Sequence, residues 1–172
     1  MMKSLKKIVA ALFVFGFLFA LASCSGYNFY NDFKKAGATI DTDHQFVVMS
    51  IDEAKAKKGS EEFSIIIGNS NKEECVTAIS KMYDEFKTIN FAGTVNYINV
   101  KGLTLTERND ATKVLGTDVD SSDGIIFVAY KKDGTIKFNT SNSTDLDAKK
   151  FRVDGSLAYR AIADYIAETY TK

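Results

Sequence analysis

Residues 63–68, Phe-Ser-Ile-Ile-Ile-Gly, constrain the fold more than any other segment of the chain. Three consecutive isoleucines, nearly all-apolar neighbours and a closing glycine describe a strand buried on both faces, and such strands belong to sheets covered by helices. The polar Asn69-Ser70-Asn71 follows, and residues 72–89 then place Val76, Ile79, Tyr83 and Phe86 at helical spacing. Ser70 with Glu73, or Asn71 with Glu74, has capping-box spacing at the start of that helix. A buried strand running directly into an amphipathic helix is the beginning of an α/β unit.

The rest of the chain repeats the alternation. Strands are predicted over 46–50, 94–100 and 125–130, and a short polar helix over 52–58 ends at Gly59. A helix over 105–115 ends at Gly116. Lys132-Asp133-Gly134 marks a turn that returns residues 135–138 as a hairpin arm. Residues 139–150 read as polar loop. Residues 156–170 form a last amphipathic helix with Leu157, Ile162, Tyr165 and Ile166 inward, beside Ala158 and Thr169. The order β-α-β-α-β-α-β-β-α implies parallel crossovers plus an antiparallel hairpin: an α/β fold whose central mixed sheet carries helices on both faces.

Composition narrows the function. The chain has 172 residues, 22 Lys+Arg against 22 Asp+Glu, one His, two Cys, and neither Pro nor Trp. A balanced charge lacks the basic field that drives nucleic-acid binding. Tyr and Phe fall at core spacing instead of alternating with Arg and Lys, so no nucleic-acid partner is implied. A single His and two Cys argue against a structural zinc site and against most hydrolase triads.

The first residues read as an address. Lys3, Lys6 and Lys7 precede an apolar run over residues 8–22, too short for the roughly 20 residues that span a bilayer. The run ends in Leu21-Ala22-Ser23-Cys24, which resembles the lipobox of bacterial lipoproteins. The resemblance implies a signal peptide over 1–23, cleavage before Cys24, and a diacylglycerol thioether on Cys24 holding the chain to the outer side of a cell membrane. Removal of the signal leaves 19 basic against 22 acidic residues, so charge adds nothing to binding of anionic lipid. Residues 24–44 are expected to be a lipidated tether with one helical turn around Phe29–Lys35, and residues 45–172 the folded domain.

Over 45–172 the element order is similar to that of thioredoxin-like proteins, and most similar to the bacteriocin-transport-accessory type. In those proteins the central strand runs into a Cys-x-x-Cys at the head of a helix. Ile65-Ile66-Ile67-Gly68-Asn69-Ser70-Asn71-Lys72-Glu73-Glu74-Cys75 occupies that place, and Ile125–Gly134 resembles the family's strand-turn-strand. The resemblance puts the family's first, nucleophilic cysteine on Lys72 and its resolving cysteine on Cys75. The family's cis-proline falls near Asp123-Gly124, in a chain without proline. Both positions that carry dithiol exchange are therefore changed, and no cofactor is implied.

Cys75 alone is a poor redox catalyst. Dithiol exchange needs a second thiol to resolve the mixed disulfide. Glu73 and Glu74 disfavour a thiolate, and Lys72 offsets them in part. An inert, half-buried thiol is the simpler expectation; a reactive single thiol is the sharper one. Asp118, Asp120 and Asp123 before Gly124 miss the spacing of a calcium loop and read as an acidic connector. His44, beside Asp41 and Asp43, reads as a solvated loop side chain, and Lys55, Lys57 and Lys58 as the wet face of a short helix. Gly68–Asn71 lacks the further glycine and Lys-Ser/Thr of a phosphate loop. Three functions follow: a membrane-tethered module binding a protein or peptide partner, a single-thiol exchange protein using Cys75, and a small-solute-binding lipoprotein, which the modest size disfavours.

Overall fold

The computed structural model describes residues 28–120, 123–141 and 148–170. Its centre is a five-stranded mixed sheet in the order β1-β3-β2-β4-β5, with β1 at Phe46–Val48, β2 at Phe63–Gly68, β3 at Val95–Asn99, β4 at Ile125–Tyr130 and β5 at Ile136–Asn139. β1 and β2 both pair parallel with β3, β4 runs antiparallel to β2, and β5 antiparallel to β4. All six residues of β2 and all six of β4 are buried. Their contiguous apolar runs are those of strands covered on both faces.

The two-residue period of the pleat divides each strand between two cores. Ile66, Tyr97, Ile125, Phe127 and Ala129 face a core shared with α3 (Glu73–Thr88) and α5 (Tyr159–Tyr170). Ile65, Ile67, Ile98, Ile126 and Val128 face a second core under α2 (Ile51–Lys57) and α4 (Leu105–Leu115). In α3 the predicted stripe Val76, Ile79, Tyr83 and Phe86 is buried, together with Cys75, Ala78 and Met82.

Local chemistry sets most helix ends. Ser50 and Glu53 close a capping box at α2, and Thr104 and Glu107 another at α4. Gly116 ends α4 at φ 72°, where a side chain would be strained.

Three expectations need correction. Residues 28–44 are not a tether. A helix over residues 28–35, α1, carries Phe29 and Phe33 one turn apart on the same side, and both rings enter the first core with Ala38 and Ile40. The part of the expected tether at 24–27 lies outside the described residues. The last helix starts at Tyr159, not at 156. Before it, β6 (Arg152–Val153) and β7 (Ser156–Leu157) form a small hairpin about Asp154-Gly155, both at positive φ, preceded by a 3₁₀ turn at Lys149–Phe151. Lys58 does not sit on a wet face: its Nζ donates to the Val114 carbonyl at 2.7 Å and lies over the Tyr130 ring, tying α2 to α4. Among the described residues no helix is long and apolar enough to cross a membrane.

Candidate functional site

The central strands bring three chain segments together at the head of α3. Gly68, the last residue of β2, is in register with Asn99 at the end of β3 and with Ile125 at the start of β4. The β2–α3 connection and the loop before β4 therefore meet at one end of the sheet.

Lys72 is the N-cap of α3, in extended conformation and without a side-chain capping bond. The two capping boxes expected from Ser70 and Asn71 do not form. Ser70 is buried, and its Oγ accepts instead from Asn99 Nδ2 at 3.0 Å. Asn69 closes its own turn by accepting from the Asn71 N–H at 3.0 Å. With Ser70 engaged elsewhere, the helix begins only at Glu73.

Cys75, the third helical residue, points into the core and is 0% exposed. Its Sγ lies 3.6 Å from Tyr97 Oη. Burial pushes the thiol up from its ordinary value to about 11, against the smaller opposing effects of Tyr97, the Asn69 backbone and Lys72. At neutral pH it is a protonated, inaccessible thiol. Lys72 turns outward; its Nζ is 3.8 Å from Asp120 Oδ1, which Arg108 also binds at 2.8 Å. Only three positions apart, these residues face opposite environments.

Two glycines make room for this arrangement, and neither was assigned a role from sequence. A Cβ on Gly68 would stand 2.6 Å from Cys75 Sγ and 3.1 Å from Tyr97 Oη. Gly124, at φ +85°, packs so closely on α3 that a Cβ there would run into the Glu74 carbonyl group and come within 2.7 Å of the Cys75 nitrogen. The signal available was position: each glycine sits at the end of an apolar strand that needs none. Tyr97 lies on the predicted strand 94–100, but nothing local places the thiol beside it.

The acidic connector does not converge on one point. Asp118 accepts from the Asp120 N–H, Asp120 pairs with Arg108 and Lys72, and Asp123 pairs with Arg152. Arg152 also donates to the Thr140 and Gly155 carbonyls, which fastens the β6–β7 hairpin over this end of the sheet. Residues 121–122 of that connector lie outside the described residues, and among the described ones no group of three or more His, Cys, Asp or Glu is arranged for a metal ion. A shallow cleft of about 380 Å³ runs between Glu73, Glu74, Thr77, Asp123 and Tyr159. Another, of about 580 Å³, lies on the other side of the α3 head beside Gly37, Asn71 and Lys72.

His44 is not a solvated loop residue. It is half-buried, its Nδ1 accepts from the Phe46 N–H, and its ring lies 5.0 Å from that of Phe29. Its neighbours Asp41 and Asp43 instead accept from Tyr83 Oη. Burial and those two carboxylates push the Tyr83 hydroxyl up to about 12. Cys24 lies outside the described residues. Compared with family models, curated proteins and solved structures, the chain matches none.

Proposed function

We propose that the chain is a lipid-anchored envelope protein whose thioredoxin-like domain has exchanged dithiol chemistry for binding. Cys24 carries the diacylglycerol anchor outside the cell membrane, and the folded domain serves as an accessory module for a protein or peptide partner. The strand order β1-β3-β2-β4-β5, with α2 and α4 on one face and α3 and α5 on the other, supports the thioredoxin-like reading.

One observation carries the loss of chemistry: the head of α3 offers an outward lysine and a fully buried, protonated thiol where exchange needs an exposed thiolate and its resolving partner. Two exposed apolar side chains lie at the same end of the domain. Leu105, which opens α4 just beyond the end of β3, is 75% exposed, and Val153, at the hairpin that Arg152 fastens to Asp123, is 63% exposed.

Insulin reduction by the mature chain tests this function. The expected rate is that of the reductant alone. Turnover abolished by Cys75→Ser overturns the proposal. Mass spectrometry of the amino-terminal peptide tests the anchor, with the acyl mass expected on Cys24 and lost in Cys24→Ser.

A further inference from the structure

The anchor proposed for Cys24 has almost no leash. Only residues 25–27 separate Cys24 from the first residue of α1. Three residues span no more than about 10–14 Å even when fully extended. The place where α1 begins therefore decides which end of the domain meets the bilayer.

α1 begins toward the base of the sheet, the end opposite the α3 head, and climbs from there: Asp32, one turn on, already reaches Asn99 at the other end of β3 and Lys101 past it. Phe29 lies 4.7 Å from the ring of Phe46, the first residue of β1. β3 starts alongside at Val95, β2 starts at Phe63, and β4 ends opposite Phe63 at Tyr130. α3 also descends to this end, where Phe86 contacts Phe46 at 5.8 Å. Its 16 residues put its head about 24 Å from its foot.

The chemistry of the base suits a lipid surface. A continuous line of rings runs across it from Tyr30 to His44, Phe46, Phe86 and Phe91, with successive centroids 6.3, 6.1, 5.8 and 5.1 Å apart. Phe46 and Phe86 are buried and His44 is half-buried. Tyr30 and Phe91 at the two ends are half-exposed, as is Ile89 at the end of α3. Tyr30, with its apolar ring and polar hydroxyl, suits the headgroup boundary, and Ile89 and Phe91 add apolar surface beside it.

We infer that the domain sits directly on the membrane on this aromatic base, with the head of α3 held away from the bilayer and open to a partner from the aqueous side. The inference rests on the lipid anchor proposed above. It makes the first turn of α1 a foot, which holds the domain close to the lipid.

The chain's lack of tryptophan provides the test. Phe91→Trp places a fluorophore at the base, Ala92→Trp a second one beside it should the first disturb packing, and Lys72→Trp one at the head. Each is prepared as the lipidated mature protein in phosphatidylcholine vesicles with brominated acyl chains. Blue-shifted emission and loss of most of the intensity are expected for the base variants, and neither for Lys72→Trp. Inserting about 20 Gly/Ser residues after Ser25 should abolish quenching at the base while the protein stays on the vesicles. If the protein floats with vesicles but the base is unquenched, or head and base are quenched alike, the orientation is wrong and the anchor stands. If the chain neither floats nor carries acyl mass on Cys24, the anchor fails and the orientation falls with it.

Discussion

α4 and α3 begin in opposite ways. α4 opens on Thr104, whose Oγ1 accepts from the Glu107 N–H while the Glu107 carboxylate accepts from the Thr104 backbone. α3 is the longest described helix, yet it opens on Lys72, which caps nothing. The start of α4 is fixed by four consecutive residues. The start of α3 is fixed by what surrounds it: Gly124 pressed on the Glu74–Cys75 backbone, Gly68 under the thiol, and Ser70 drawn away to Asn99. Local rules are kept where a helix only supports the sheet and set aside where chain segments converge, which is where a functional surface is expected.

The comparison breaks most severely at Gly124. Gly124→Ala adds a Cβ against the Glu74 carbonyl at a backbone angle that disfavours side chains. Strain and overpacking together predict a loss of about 3 kcal/mol or more in urea unfolding. A loss below about 1 kcal/mol would mean that packing does not hold the head of α3 in place.

The buried thiol gives the next largest effect, and its sign follows from linkage. The Cys75 pKa is raised in the folded state, so the stability it confers is complete below the unfolded value near 9 and is lost as pH climbs toward 11. The full loss is on the order of 3 kcal/mol. Between pH 8 and 9 the unfolding free energy of the wild type should begin to fall while that of Cys75→Ala stays nearly level. Above that both fall, because Tyr83, Tyr97, Tyr130 and Tyr159 are also raised in the folded state, and the wild type falls further. Parallel curves would place the thiol in contact with water.

Capping substitutions sharpen the contrast at smaller scale. Thr104→Ala should cost about 1 kcal/mol, as should Ser50→Ala at the matching box of α2. Lys72→Ser should instead stabilise by about 0.5 kcal/mol, since it supplies a cap where none exists and removes only a long, solvent-exposed ion pair. Denaturation midpoints of the three variants test the difference in sign.

Much of the fold was legible for the reason that makes α4 simple. β2 and β4 are contiguous apolar runs, α4 matches its predicted span of 105–115, and the Asp133-Gly134 turn reverses the chain between β4 and β5. Elements that depend on distant partners were harder to read. The Phe29 and Phe33 spacing in α1 is helical, but the length of that helix is settled by Phe46 and Tyr97 far along the chain. Asp154-Gly155 is an ordinary hairpin turn, hidden because each arm is two residues long. At the candidate site it is the resemblance of the strand–helix junction to a Cys-x-x-Cys site that points to Lys72 and Cys75. The two glycines and Tyr97 that enclose the thiol become neighbours only when β2, β3 and β4 assemble.

The central claim is that Lys72 and Cys75 occupy the two positions of a former dithiol site, and Lys72→Cys tests it most directly. A bridge requires a sulfur at position 72, where the lysine now turns outward, to reach the buried Cys75 sulfur, so the variant reads the geometry of the α3 head directly. Under mild oxidation the folded variant should form one intramolecular disulfide, seen as the loss of two hydrogens by intact mass and of both titratable thiols, and restored by reductant. If both thiols stay free in the folded protein and form a bridge only after unfolding, the head of α3 does not have the geometry of a dithiol site.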